Sequence, residues 1–473
     1  MDIKRSVVRL FSARIGSQFI GFLGLMYFAR ELGAEQIGIF FLFQASLSIL
    51  TVPADMGVQE GIEKRISEGS NAGKILTTGL VLKLAFSTVL SIGLFITKDA
   101  INNYMGGQVT LLLIIALFLN SISEVAIRTL RGELRVGETA SLQFIRQAIW
   151  VGIGALFVWR GFGYLGLIYS LILGFGTVFL WGMSKSSTKL GPVSWKHATS
   201  LWTYSKYSFI GAVGGSFYSW MDVAVIGLFL PQTHVGAYEM AWRIGVVVTL
   251  FSSTIATTIF PQVSEWKADE DRKRIESLLS NAITPSLLFV IPAFFGSILL
   301  SREILSLLFG PEFVLAWLTL IIFMLINFVQ AITEIFSRAL RAIDHPELVA
   351  KARTISLSLN IILNFLLIWR FGITGAAIAT GVALTVYTLL VLSYLRPYVR
   401  IEFPYYEVTW CMIAGIGMAI AVRGVQSLIV INSLPMLFAV VGIGAVIYFC
   451  LIMIYPPLRI KALNNTSYFL KNM

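Results

Sequence analysis

Four basic side chains lie inside long apolar segments, where they could bind an anion: Arg14, Lys83, Arg146 and Arg243. On the insertion scale, a basic residue at the centre of a membrane-spanning helix costs about 2.5–3.5 kcal/mol, so such residues usually face a wet cavity. An arginine guanidinium can bind two phosphate oxygens at once. We therefore predict that these four residues line a cationic binding cavity. For Arg14 the alternative is that its long side chain reaches the lipid headgroups.

Two acidic residues accompany Arg243. Glu239 precedes it by four residues, which is one helical turn, and Asp222 lies in the preceding apolar segment. One interpretation is a local Glu239–Arg243 ion pair. The other is a charge cluster in a cleft whose ion pairs exchange when an anionic ligand arrives. Either acid could also take a coupling cation, Na⁺ or H⁺; we predict no other cofactor.

A second set of charges occurs twice. The segment ISEVAIRTLR (122–131) returns as ITEIFSRALR (332–341), 210 residues later, with five of ten residues identical. In a helix, each copy places one acid and two arginines on one face. The residues concerned are Glu124, Arg128 and Arg131 in the first copy, and Glu334, Arg338 and Arg341 in the second. Each trio either forms an intrahelical ion pair near the membrane interface or contributes to a cytoplasmic gate.

The apolar segments around these charges predict the fold class. The chain has 473 residues, of which 57% are hydrophobic and 13% charged, against about 25% charged in soluble domains. Apolar runs of about 20 residues recur, each long enough to cross a membrane core of about 30 Å. We predict an all-α polytopic membrane protein with about fourteen transmembrane helices. The predicted spans are 8–29, 37–58, 75–97, 108–129, 139–159, 163–184, 205–230, 236–260, 280–300, 314–337, 350–369, 373–394, 407–429 and 434–455.

The net charge of +11 reports topology rather than nucleic-acid binding. With both termini cytoplasmic, 26 of the 36 lysines and arginines fall in cytoplasmic segments or at cytoplasmic helix ends, and six fall outside. This asymmetry follows the positive-inside rule. We therefore predict a multi-pass protein of the cell membrane with both termini in the cytoplasm, and we expect a monomer.

The repeat divides the chain into lobes. Trp159-Arg160 matches Trp369-Arg370 at the same offset. We predict a six-helix lobe over 1–190, a polar and basic cytoplasmic linker over 191–204, a second six-helix lobe over 205–396, and two extra helices with a cytoplasmic tail over 397–473. An even number of spans leaves both lobes in the same orientation. Pro53 and Gly57 predict a break at the inner end of the second span, which is either a hinge or a helix end. Two matched lobes facing a cleft are typical of alternating-access transporters.

Several features argue against an enzyme or a metalloprotein. GFGYLG (161–166) fits a dinucleotide-binding pattern but stands between apolar helices, without the strand that such a site needs. The three histidines have no metal-ligand spacing, and Cys411 and Cys450 form neither a disulfide framework nor a metal set. The longest predicted outer loops run only about a dozen residues, too short for the acceptor chemistry of a polysaccharide polymerase.

VGAYEMAWRIG (235–245), FGITGAAIAT (371–380), ARELG (29–33) and the layout of six, six and two helices resemble the Wzx-type polysaccharide flippases. These belong to the multidrug/oligosaccharidyl-lipid/polysaccharide exporter superfamily. The resemblance covers nearly the whole chain. It implies movement of a lipid-linked oligosaccharide, with its phosphate or diphosphate linkage, from the cytoplasmic to the outer leaflet.

The resemblance also implies a central cavity lined by basic side chains, mainly from the first two helices of each lobe. Expected partners are the lipid-linked substrate, membrane lipids and glycan-assembly enzymes. The alternative within the superfamily is a cation- or proton-coupled antiporter of drugs or other small molecules. Such a protein should have more acids than bases in its cavity. Here the five intramembrane acids (Asp55, Glu124, Asp222, Glu239 and Glu334) are at least as numerous as the four bases inside the spans, so charge separates the alternatives weakly.

Overall fold

The computed structural model describes residues 3–459 except 70 and 269–270; the side chains of 3–15 and of several residues between 207 and 268 are outside this description. Throughout the described residues, the regular structure is helical. The helices are α1 (Ile3–Asp55), α2 (Val58–Ser67), α3 (Ala72–Ile96), α4 (Lys98–Met105), α5 (Thr110–Gly132), α6 (Val136–Trp159), α7 (Gly163–Lys185), α8 (Trp195–Phe229), α9 (Gln232–Ala268), α10 (Arg272–Leu287), α11 (Val290–Leu308), α12 (Trp317–Ala342), α13 (Pro346–Leu395), α14 (Tyr405–Leu428) and α15 (Leu434–Ile454), with a 3₁₀ helix at Pro311–Ala316.

Ten helical stretches of the described residues are long and apolar enough to span a membrane. The predicted class, an all-α polytopic membrane protein, is therefore confirmed. Two of these stretches correspond to two predicted spans each, because a glycine interrupts them in a non-helical conformation. These glycines are Gly33 in α1 (φ 75°, ψ 175°) and Gly372 in α13 (φ 60°, ψ −142°).

The lengths show why these two helices must turn. The stretch Gly16–Asp55 has 40 residues, which at 1.5 Å per residue would extend about 60 Å, twice the thickness of a membrane core. In α13, a Cβ built on Gly375 would lie 2.0 Å from the carbonyl oxygen of Leu367. Residues eight positions apart in one straight helix are about 12 Å apart, so the chain reverses direction at Gly372.

The remaining predicted spans each have a helical counterpart. They correspond to α3, α5, α6, α7, α8, α9, α10 with α11, α12, α14 and α15. Helix α9 is bent by 49° between its segments Gln232–Leu250 and Ser252–Lys267. Together with the two halves of α1 and of α13, these helices account for the fourteen spans that the sequence predicts.

The chain forms two compact units, residues 1–236 and 237–473. In the first unit, Phe40 of α1 stacks on Trp150 of α6, with 5.6 Å between ring centroids, and Phe28 meets the same indole edge-on. A second cluster unites α2, α3, α5 and α8 through buried aliphatic side chains, which are Val58, Ile62, Ile66, Ile75, Leu76, Val125 and Leu201. Helix α8 starts at Trp195, so most of the predicted linker 191–204 is helical; the predicted lobe boundaries themselves stay a prediction.

In the second unit, aromatic side chains join α9 to α12. Tyr238 and Trp242 each meet the ring of Phe323 edge-on, at centroid distances of 5.1 Å. Asn327 Nδ2 donates a hydrogen bond of 2.9 Å to the carbonyl oxygen of Gly245 in the same pair of helices. The two C-terminal helices are joined by Trp410, whose indole N–H donates to the carbonyl oxygen of Leu451 at 3.0 Å.

The break predicted from Pro53 and Gly57 lies between α1 and α2. Helix α1 continues through Pro53 to Asp55, and Met56 (φ 48°) and Gly57 (φ 77°) then both adopt left-handed conformations. Glycine is required at 57 for a second reason, because a Cβ there would lie 2.3 Å from the carbonyl oxygen of Ser205 in α8. A hinge role for this break remains a prediction.

Candidate functional site

A buried ion pair joins the end of α1 to the middle of α3. Lys83 Nζ lies 2.7 Å from Asp55 Oδ1, and the two side chains are 1% and 4% exposed. The backbone N–H of Gln59 donates to the same carboxylate oxygen at 3.3 Å. Transfer of either charge alone from water to this environment would cost several kcal/mol, which the partner offsets. Lys83 is thus held inside the first unit, and its predicted contact with substrate stays a prediction.

Arg128 of α5 joins that helix to α2. Its guanidinium lies 2.8 Å from Glu63 Oε2 and 3.4 Å from Glu60 Oε1. Burial raises the pKa of Glu60 above its usual value, and the charge of Arg128 only partly opposes this effect. Sequence reasoning missed both glutamates. Their spacing of three residues, directly after the predicted break at Gly57, was the available signal.

The first copy of the repeated segment pairs across helices. Glu124 Oε1 lies 3.5 Å from Arg146 Nη1 of α6, not in the intrahelical pair with Arg128 that its position allows. The Arg146 guanidinium also lies 5.8 Å from the ring centroid of Phe175 in α7. Arg131, in the last turn of α5, is partly buried, and its Nε has no hydrogen-bond partner among the described residues.

The second copy pairs within its own helix, as one of the two interpretations predicts. Arg338 Nε donates to Glu334 Oε2 at 3.2 Å, and Arg341 Nε donates to the carbonyl oxygen of Ser337 at 3.2 Å. The repeated segment therefore serves two different packing environments. Whether either copy acts as a gate stays a prediction.

The predicted pair Glu239–Arg243 is present in α9. Arg243 Nη2 lies 3.3 Å from Glu239 Oε2; the glutamate side chain is 5% exposed and the arginine side chain 33%. The acid therefore anchors the arginine, and about a third of the arginine side chain remains exposed. Asp222 lies partly buried in α8, and the Arg14 side chain lies outside the described residues.

These charges can do two things chemically. An accessible arginine held by a buried glutamate can bind phosphate oxygens without the cost of ordering its side chain first. Buried pairs such as Asp55–Lys83 instead fix the packing of their helices. In the described part of the chain, we find no group of three histidine, cysteine, aspartate or glutamate side chains arranged to hold a metal ion.

The described helices define a polytopic membrane protein as the class, with several ion pairs inside its apolar helices. The family model described as "Polysaccharide biosynthesis protein" matches residues 27–318, and the model described as "Lipid II flippase MurJ" matches residues 209–449. Since the first of these covers more than half of the chain, the chain belongs to the polysaccharide biosynthesis protein family. The resemblance read from the sequence is confirmed.

Full-length relatives support this assignment. The chain is 46% identical to the "Probable low-salt glycan biosynthesis flippase Agl15" of Haloferax volcanii, over 98% of both chains. It is 28% identical to the "Probable flippase AglR" of the same organism, over 82% of both chains.

Solved structures show the same fold. An inward closed conformation of the lipid II flippase MurJ matches with a TM-score of 0.78 and 18% identity, over 94% of this chain and 98% of that one. An inward-facing multidrug resistance MATE family transporter matches with a TM-score of 0.65 and 16% identity, over 80% of this chain and 94% of that one.

Proposed function

We propose that this protein is a flippase that moves a lipid-linked oligosaccharide from the cytoplasmic to the outer leaflet, for the synthesis of a cell-surface polysaccharide or glycan. The observation that carries the proposal is the 46% identity, over nearly the full length of both chains, to a probable glycan biosynthesis flippase. The matched families consist of transporters, so the chain is not an enzyme. Its place is the cell membrane, with both termini in the cytoplasm, and glycan-assembly enzymes would deliver and receive its substrate.

Alternating access is the mechanism that best fits this fold. Solved transporters with related folds are described in an inward-facing and in an outward-facing conformation, which supports two accessible states. In this mechanism the polar headgroup passes through a hydrated cationic cleft while the polyprenyl tail stays in lipid. The headgroup enters from the cytoplasm and leaves on the outer side after the two lobes have reoriented.

Arg243 is the residue best suited to bind the anionic linkage. A third of its side chain is exposed, and Glu239 holds it in place at 3.3 Å. An arriving phosphate can share or take over the guanidinium, because the planar fork accepts two oxygens at once. Arg14 and Arg146 are the further candidates for this cavity, and Asp222 and Glu239 are candidates for a coupling Na⁺ or H⁺.

A second candidate function is supported by the likeness to a MATE family transporter at a TM-score of 0.65. In that case the substrate would be a small organic cation, exchanged for Na⁺ or H⁺. A basic binding residue such as Arg243 would oppose such a substrate, which is why we place this function second.

The test is a headgroup protection assay in proteoliposomes. A fluorescent lipid-linked oligosaccharide is placed in both leaflets and probed with an impermeant quencher. We expect the wild-type protein to bring the labelled headgroups of the inner leaflet to the quencher outside. Arg243→Ala and Arg14→Ala should each slow this movement at least tenfold. Arg65→Ala is the matched control, because Arg65 pairs with Glu68 on an exposed surface.

The assay separates the alternatives. If Arg243→Ala and Arg14→Ala match the wild type, the flippase stands and the proposed binding residues are wrong. If the wild-type protein leaves the oligosaccharide in place but takes up small organic cations against a Na⁺ or H⁺ gradient, the antiporter is the correct function.

A further inference from the structure

The segment between α7 and α8, residues 186–194, has the composition of a flexible joint. Its sequence, SSTKLGPVS, is polar with one glycine and one proline, and Ser186 and Ser194 at its two ends have extended backbone conformations. Segments of this composition often run unattached between domains. The contacts of this segment with the first unit show instead that it is attached at both ends.

The start of the segment is anchored by Glu133, which lies between α5 and α6. Ser186 Oγ donates a hydrogen bond of 2.7 Å to Glu133 Oε1, and the backbone N–H of Thr188 donates to the same oxygen at 2.8 Å. The other carboxylate oxygen lies 3.3 Å from Arg135 Nη1, and that arginine also donates to the carbonyl oxygen of Lys185. The Glu133 side chain is only 7% exposed, so these hydrogen bonds are shielded from competing water.

The end of the segment is anchored to the first turns of α3. The backbone N–H of Gly191 donates to the carbonyl oxygen of Gly73 at 3.1 Å and to Thr77 Oγ1 at 3.0 Å. The backbone N–H of Ser194 donates to Thr78 Oγ1 at 3.1 Å. The backbones meet so closely that a Cβ on Gly73 would lie 2.4 Å from the carbonyl oxygen of Lys189.

The first turns of α8 continue this attachment. Leu201 is fully buried in the aliphatic cluster that α2, α3 and α5 form, and the backbone of Ser205 packs against Gly57. The segment is therefore tied to the first unit at its start and at its end, and the helix that follows it is packed into the same unit.

We propose that residues 186–194, which we call the linker strap, stay bound to the first unit throughout the transport cycle. Glu133 is the positioning residue of this linker strap. The inference rests on the proposed transport function. The linker strap does not act as the joint between the lobes; the change of orientation takes place at chain positions beyond Leu201. Glu133, Arg135, Gly73, Thr77 and Thr78 provide the attachment.

The first experiment measures the strap directly and needs no transport. Spin labels are attached at Lys74→Cys and Lys189→Cys after replacement of Cys411 and Cys450 by alanine. Because the backbones at 73 and 189 are in contact, the distance between the labels is measured from the dipolar broadening of the continuous-wave electron spin resonance spectrum. This should give one narrow distance distribution in liposomes, unchanged by added substrate. Glu133→Ala should broaden it, whereas Glu68→Ala, which removes an exposed glutamate, should not. A broad or bimodal distribution without the Glu133 substitution would overturn the proposal.

The second experiment tests the role in the cycle. The same cysteine pair is joined by a short cleavable thiol cross-linker, and oligosaccharide flipping is measured before and after cleavage. We expect the cross-linked and the cleaved protein both to flip the oligosaccharide at a rate within about twofold of that of the uncross-linked protein. Flipping that stops on cross-linking and returns on cleavage would show that the strap moves. If no preparation flips the oligosaccharide, the proposed function fails, while the distance distribution still decides whether the strap is fixed.

Discussion

Replacing Lys83 by methionine leaves the carboxylate of Asp55 buried without its cation. Removal of one partner from a buried ion pair costs about 3–5 kcal/mol, so we expect a large drop in the melting temperature of the purified protein. The double variant Asp55→Asn/Lys83→Met removes both charges and should recover most of the loss. The measurement is thermal unfolding in detergent, followed by size-exclusion chromatography.

The matched control for Lys83 is an exposed ion pair. Arg65 and Glu68 lie 2.9 Å apart but have exposed fractions of 31% and 42%, and such pairs contribute about 0–1 kcal/mol. Arg65→Met should therefore leave the melting temperature nearly unchanged. Equal effects of Lys83→Met and Arg65→Met would contradict the importance of the buried pair.

The carboxylate of Glu133 predicts a pH dependence. Partial burial opposes ionisation, but the hydrogen bonds from Ser186 and Thr188 outweigh it and lower the pKa of Glu133 to about 2. Since the folded-state pKa is depressed, the stabilisation is fully present above the unfolded pKa near 4.5 and is lost as the pH falls toward 2. We expect Glu133→Gln to be less stable than the wild type at pH 7, with the difference shrinking below pH 4.5. A difference independent of pH would show that ionisation of Glu133 is not responsible.

Ion pairs within one helix could be inferred from the sequence, whereas pairs between helices could not. Glu239–Arg243 and Glu334–Arg338 are local pairs one helical turn apart, and in each case helical spacing offered this pair as one of two interpretations. Glu124 pairs with Arg146, on a different helix. Which helix lies beside α5 depends on tertiary packing, which no local spacing reveals.

At the scale of helices, the break between α1 and α2 predicts a sharp difference between two glycines. Gly57 and Gly69 both have a positive φ, 77° and 81°. A Cβ on Gly57 would meet the backbone of Ser205 at 2.3 Å, whereas a Cβ on Gly69 would have nothing within 4 Å. Gly69→Ala should cost only the left-handed strain, about 1–2 kcal/mol. Gly57→Ala should cost clearly more stability, seen as a lower melting temperature and a lower yield of folded protein. Equal losses of stability in the two variants would mean that α8 moves away at this contact.

The helices themselves were predictable from the sequence because each apolar run matches a membrane thickness. The break at Gly57 was predictable as well, since proline and glycine interrupt helices for local reasons. The attachment of the linker strap could not be predicted from the sequence. Its anchors at Thr77 and Thr78 lie more than 110 residues earlier in the chain, and its composition alone favoured a loose joint.

For the molecule as a whole, transport of an anionic linkage predicts a dependence on membrane potential. One charge moved through 100 mV corresponds to about 2.3 kcal/mol, or about a 50-fold change in an equilibrium. With the cytoplasmic side negative, we expect the labelled oligosaccharide to accumulate in the outer leaflet by about this factor per charge moved. A potassium diffusion potential across proteoliposomes provides the measurement. No accumulation at 100 mV would mean that another charge moves with the substrate and cancels its own.

The overall architecture was predictable because it depends on repetition and hydropathy. The two copies of the charged segment stand at the C-terminal ends of α5 and α12. The division of the chain into compact units between residues 236 and 237 could not be predicted from the sequence, because it depends on how α8 packs onto α1, α2 and α3.

Gly33 and Gly372 have a consequence for how the protein is made. Each joins two membrane-crossing helices through a single non-helical residue, without a loop. Because a single residue separates the two helices, the pair can pack as a hairpin as soon as the second helix has formed. We therefore expect each pair to leave the translocon as one hairpin. A glycosylation site or protease site inserted at either glycine would then report failed insertion rather than topology.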